Sequence, residues 1–213
     1  MLENNIKKIL TDRIKPSKTT LIVIDVQNDF CHEQGVFSKM NRDLSHIQRN
    51  VIPNILFIIK KWRQLNLPII FVRTIHSDWT NSPVWLTRGE DMAKKTPICP
   101  PNSWGAEFYK VEPGDGDCIV TKHRYSAFTG TDLDLILRSK GFETIILTGV
   151  VTNVCVETTA RDGFNLNYNV IFVDDCCGAY LPEEHTATLN NISKHFGIVT
   201  DSKLLVQILE QSK

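Results

Sequence analysis

Three residues of this chain, Asp25, Lys122 and Cys155, have side chains suited to opening a covalent bond, and each stands where an apolar segment stops. Cys155 follows the run Ile145, Ile146 and Leu147, which breaks at Thr148 and Gly149. Small residues (Val150, Val151, Thr152, Asn153) then lead into helix-like sequence. A helix start presents free backbone N–H groups and the positive end of the helix dipole. A thiol there is expected to have a lowered pKa and to serve as a nucleophile. A carboxylate at Asp25 would take the thiol proton, and an ammonium at Lys122 would keep that carboxylate ionised and help acidify the thiol. Taken singly, an Asp ending a strand is ordinarily a cap and a Lys after a strand is ordinarily solvated. Together they are the parts of a cysteine hydrolase that uses no histidine.

Such a set works only if the chain brings three distant positions to one edge. Leu21 to Ile24, the LPIIFVRT segment, CIVTK, Thr144 to Leu147, NVIFVDD and GIVT are short β-branched runs, as expected of strands covered on both faces. Helical spacing recurs between them. Asp43 to Asn66 places Ile47, Val51, Ile55, Ile58, Ile59 and Trp62 three and four residues apart, with Pro53 as a kink. Further helices are expected over Asp132 to Ser139, from Cys155 to about Asn167, over Pro182 to Lys194 and over Ser202 to Glu210. Six alternations of strand and helix predict one doubly wound α/β domain over residues 1–213, a three-layer arrangement around a mostly parallel six-stranded sheet. In such a sheet ligands bind outside the carboxyl ends of the strands, where Asp25, Lys122 and Cys155 all fall.

Two stretches stand outside the alternation. Residues 1–18 read as a short amphipathic lead-in helix without the apolar core or cleavage site of a signal peptide, so a cytoplasmic chain is expected. Residues 75–111 lose regularity and hold Trp79, Trp85 and Trp104 with four prolines, which suits an active-site cover or, alternatively, an oligomer contact. Lys plus Arg and Asp plus Glu balance at 24 each, so no basic footprint for nucleic acid or anionic lipid exists. No apolar run reaches the roughly 20 residues of a membrane span. Of six cysteines, Cys118, Cys176 and Cys177 read as reduced packing residues.

The segments IVIDVQNDF, TKHRYSAF and LTGVVTNVCVETTARDGF resemble the three signature blocks of the isochorismatase-like cysteine hydrolases, over about Thr19 to Thr200. The resemblance implies that Asp25, Lys122 and Cys155 form a catalytic triad that cleaves a C–N bond of a small amide or ureido compound through a Cys thioester, with no cofactor. It implies a cis peptide at Val150–Val151 and an oxyanion hole from the N–H groups of Val151 and Cys155. Homodimers or homotetramers are implied as well. Among family branches, the blocks and the LTRGE segment are closer to ureidoacrylate and biuret hydrolysis than to nicotinamidases, whose metal motif after strand two is met here only by His76 and Asp78 in reversed order, so no metal is expected. The presence of Cys155 sets the chain apart from the vinyl-ether-cleaving isochorismatases. Candidate substrate contacts are Gln27 and Thr152 (otherwise backbone caps), Arg88 for a carboxylate (otherwise an exposed loop arginine), Tyr125 (otherwise a packed rim aromatic), and Phe30 and Trp79 as apolar walls. Rival readings are a binding protein on a hydrolase scaffold, or a thiol redox sensor pairing Cys155 with Cys176 or Cys177.

Overall fold

The apolar runs form six parallel strands: β1 (Thr19–Ile24), β2 (Ile69–Thr74), β3 (Cys118–Lys122), β4 (Thr144–Val150), β5 (Asn169–Gly178) and β6 (Ile198–Thr200). They are seen in a computed structural model that describes residues 2–89 and 97–211. Part of the expected 75–111 cover, including the end of LTRGE, therefore lies outside the described residues, as does Met1 of the lead-in. The strand order is β3-β2-β1-β4-β5-β6. Every residue of β1 and β4 is buried. That is why these central strands show no polar alternation: helices cover both faces.

The helices are α1 (Leu2–Arg13), α2 (Asn28–Cys31), α3 (Val36–Lys39), α4 (Ile52–Gln64), α5 (Pro83–Leu86), α6 (Leu133–Ser139), α7 (Glu157–Asn165), α8 (Pro182–Asn191) and α9 (Ser202–Gln211). Leu21 and Val23 of β1 point into one core with Leu10 of α1, Ile55 and Trp62 of α4 and Leu205 of α9. Their neighbours Ile22 and Ile24 point into the opposite core with Leu133 and Leu137 of α6 and Ala160 of α7. The period-2 alternation of the strand thus sorts residues between two helical layers. The expected doubly wound α/β fold is the observed one, and its sheet is parallel throughout.

Three local expectations are corrected. β4 does not stop at Thr148 and Gly149 but continues to Val150. Gly149, at φ 122°, lets it do so: a Cβ there would stand 2.0 Å from the Ile24 carbonyl oxygen, so β4 can press against the end of β1. At Pro53 the chain does not simply kink. A π turn over Ile47–Val51 precedes α4, with Ile52 N–H donating to the Ile47 carbonyl, and Pro53 falls in the first turn of α4, where its missing N–H is tolerated. Between residues 75 and 111 regularity is not wholly lost, because α5 and a 3₁₀ turn over Trp104–Ala106 lie within it.

Candidate active site

The strand order reverses between β1 and β4, which opens a crevice at their carboxyl ends. Asp25 follows β1 directly, with φ 53° and no solvent exposure. Cys155 lies in a π turn, Thr152–Val156, that leads from β4 into α7. Lys122 ends β3, two strands from β1 and so about 10 Å away by strand spacing. Its long stem crosses that gap along the sheet edge and is itself buried. The Lys122 ammonium stands 2.7 Å from Asp25 Oδ2 and 3.5 Å from Cys155 Sγ, and donates to the Arg124 carbonyl at 3.0 Å. Thr74 ends β2, in register with Lys122, and fills the space between. Its hydroxyl accepts from Lys122 at 2.8 Å and donates to Asp25 Oδ1 at 3.0 Å.

Asp25 Oδ2 touches Lys122 as an ion pair yet receives no well-angled hydrogen bond, leaving a lone pair open. Asp25 is also within hydrogen-bonding reach of the Cys155 thiol. Burial works to discharge Lys122, but Asp25 and Cys155 outweigh it and raise its pKa. The thiol differs from the sequence expectation. Burial pushes Cys155 up to about 12, with Lys122 pulling down only in part and Asp25 adding to the rise. At rest the crevice therefore holds a neutral thiol beside a carboxylate–ammonium pair. The field of a helix start does not offset full desolvation of the sulfur.

A cavity of about 190 Å³ opens over these groups. One wall is aromatic: Phe30 and Phe37 stack at 5.2 Å, and Phe37 and Tyr180 at 5.1 Å. The facing wall is built on α5, where the Ser82 hydroxyl caps the helix by accepting from Trp85 N–H at 3.2 Å. Arg88 lies 3.5 Å above the Trp85 ring and donates from Nε to the Tyr125 hydroxyl at 2.8 Å. Arg124 stands 5.0 Å from the same ring and uses Nη1 on the carbonyls of Thr80 and His123. Among the described residues neither guanidinium meets a carboxylate. His76 also lines the cavity, its Nδ1 unpartnered; burial first, then Arg88, Lys122, His123 and Arg124, lower its pKa to about 3. Among the described residues no group of three or more His, Cys, Asp or Glu is placed to hold a metal ion.

Of the expected substrate contacts, Phe30, Arg88 and Tyr125 line the cavity, as does Val151, whose peptide bond to Val150 is cis. Three do not. Trp79 is 99% exposed, and Trp85 occupies the wall in its place. Gln27 is buried as a clamp: its Oε1 accepts from Thr74 N–H at 2.7 Å, and its Nε2 donates to the carbonyls of Thr74 and Ala106. Thr152 is buried with its hydroxyl on His185. Thr74, Trp85, Arg124 and His185 were not anticipated. Thr74 was within reach, since it ends a strand at the same edge as Asp25 and Lys122. Nothing in the sequence ranks Trp85 above Trp79 except the Ser82-Pro83 helix start and the apolar neighbours Val84 and Leu86.

Residues 19–203 match the Isochorismatase domain family. An uncharacterized isochorismatase family protein of Bacillus subtilis, YwoC, is 35% identical over 196 residues, which is 92% of this chain and 95% of that protein. The ureidoacrylate amidohydrolase RutB of Methylobacterium radiotolerans is 33% identical over 202 residues, covering 88% of this chain and 78% of its own. The crystal structure of a cysteine hydrolase from Pseudomonas syringae pv. phaseolicola superposes with a TM-score of 0.81 at 28% identity, covering 94% of this chain and 96% of that one.

Proposed function

The chain belongs to the isochorismatase family of hydrolases, and from that premise we propose that it cleaves the C–N bond of a small amide or ureido compound through a covalent Cys155 intermediate. The observation that carries this reading is the buried contact of Asp25 with Lys122, and of Lys122 with Cys155, the last two of which line the cavity. Because the resting thiol is neutral, its proton leaves as the sulfur attacks. Asp25 takes it, and Lys122, held by Thr74 and the Arg124 carbonyl, keeps its charge beside both partners. The carbonyl oxygen gains the negative charge and settles on the N–H groups of Val151 and Cys155; one such donor is typically worth about 10²–10³ in rate. Asp25 returns its proton to the leaving nitrogen, the C–N bond breaks, and ammonia or an amine departs. The same carboxylate then draws a proton from water, which opens the thioester and frees the thiol.

The wall of the cavity supports a substrate that carries a carboxylate. Arg88 and Arg124 flank one ring, and among the described residues neither forms an ion pair with a carboxylate; burial first, and then these and other nearby cations, lower the pKa of His76. The aromatic wall of Phe30, Phe37 and Tyr180 suits packing against a flat linker between that carboxylate and the scissile group. RutB acts, by its name, on one such acid, ureidoacrylate. The test is ammonia release from ureidoacrylate, N-carbamoylsarcosine, biuret and nicotinamide. Turnover of the two acids ahead of the two neutral compounds is expected. Turnover of nicotinamide alone would overturn the acid preference, and no release from any amide would overturn the reading as a whole.

A further inference from the structure

The turn that bears Cys155 is held from behind by groups that take no part in the chemistry above. Thr152 starts this turn, is fully buried, and points its hydroxyl away from the cavity to His185 Nδ1 at 3.0 Å. His185, on α8, binds Asp174 Oδ1 through Nε2 at 2.8 Å. A carboxylate accepts only, so in the neutral ring the His185–Asp174 bond places the proton on Nε2 and leaves Nδ1 to accept from Thr152. A second tie runs from α8 to α7, directly after the turn: the Thr188 hydroxyl, one helical turn after His185, donates to Glu157 Oε2 at 2.6 Å. Glu184, next to His185, reaches the cavity rim.

We propose that Asp174 and His185 form a positioning pair that fixes Thr152, and through it the Val151–Cys155 turn, so that the sulfur and the two backbone N–H groups stay aimed at one point. The pair goes beyond the catalytic reading above, and only its kinetic consequence rests on that reading. Asp174 comes from β5, His185 from α8 and Thr152 from the turn after β4, so one chain of two hydrogen bonds joins three separate elements. A hydroxyl on a buried turn has one staggered well that satisfies it here, and the bond to Nδ1 selects that well. With the bond removed, the turn regains freedom where small errors of placement cost rate rather than binding.

The test uses Thr152→Val, which keeps the shape and removes the hydroxyl, Thr152→Ser, which keeps the hydroxyl, and His185→Ala, singly and in the Thr152→Val/His185→Ala pair. On the best substrate of the panel, kcat is expected to fall about tenfold or more in Thr152→Val and in His185→Ala with KM within about twofold. Thr152→Ser should recover most of the loss. The double variant should be no worse than the poorer single one, because both remove the same bond. Multiplying losses, an unchanged kcat, or a rise in KM at constant kcat would each overturn the pair. If wild type releases no ammonia from any compound, the rate of Cys155 carboxamidomethylation by iodoacetamide, read by peptide mass, replaces kcat. Slower labelling in both single variants and recovery in Thr152→Ser support the pair, whereas equal rates in all variants reject it. A variant that fails to fold is replaced by Asp174→Ala, whose side chain is half-exposed, with the same two readouts.

Discussion

Lys122 is an ammonium with almost no exposure, paired among the described residues with Asp25 and cradled by Thr74 and a carbonyl. Removing one partner of such a pair leaves a bare buried charge, so Lys122→Met is expected to lower stability by about 3–5 kcal/mol. Adding Asp25→Asn removes the orphaned charge and should recover much of that loss while leaving the protein without activity. Urea unfolding of wild type, single and double variants checks this; a double variant no more stable than Lys122→Met would contradict the ion pair. The acidity of the thiol is the point on which sequence and structure part. The strand-to-helix position of Cys155 was legible, but its pKa depends first on burial and then on Lys122 and Asp25, which no local pattern encodes.

At the scale of elements, β-branched runs and helical spacings showed the alternation of strands and helices and the edge shared by Asp25, Lys122 and Cys155, but not the order of the strands in the sheet. The long irregular segment was legible as a cover but not in its detail. There a Ser82 cap and Pro83 start α5 and turn Trp85 inward, while Trp79, six residues earlier, lies in solvent. Such choices are made by tertiary packing, although Trp85 sits between Val84 and Leu86 whereas Trp79 sits between Asp78 and Thr80. Gln27 and Thr152 stayed open between substrate contact and cap for a related reason. Amide and hydroxyl groups serve backbone and substrate equally well, and only their partners tell which. The wall on α5 carries its own prediction. Arg88→Met should raise KM for a carboxylate substrate about tenfold or more, as expected for a lost charge-assisted hydrogen bond, and should leave KM for a neutral amide within about twofold. Steady-state kinetics on an acid and a neutral amide check it; an equal effect on both would assign Arg88 to packing.

Over the whole molecule, five thiols besides the half-buried Cys118 are buried: Cys31, Cys99, Cys155, Cys176 and Cys177, and burial raises every one of them. Their folded pKa values lie above the ordinary 9.0, so the folded state holds these protons more tightly than the unfolded chain. The stability they contribute is complete below pH 9 and is lost as pH rises above it, by about 1.4 kcal/mol per thiol between pH 8 and pH 10. Five such losses rival the about 5–15 kcal/mol that holds a whole domain together. Urea midpoints under reducing conditions should therefore fall steeply from pH 8 to pH 10, and a flat profile would contradict the buried, protonated thiols. The same burial makes Cys176 and Cys177 poor resolving partners for a redox cycle: neither offers a thiolate, and they face opposite cores.

The covalent role of Cys155 joins all three scales, and it can be seen directly. Wild-type protein turning over the best acid of the ammonia panel, quenched in acid within a turnover and digested, should yield a Cys155 peptide heavier by the acyl or carbamoyl group of that substrate. Asp25→Asn should show no such adduct, because its thiol proton has no acceptor. Ammonia release that persists in Cys155→Ala, with no adduct on the wild-type peptide, would contradict the account at its centre.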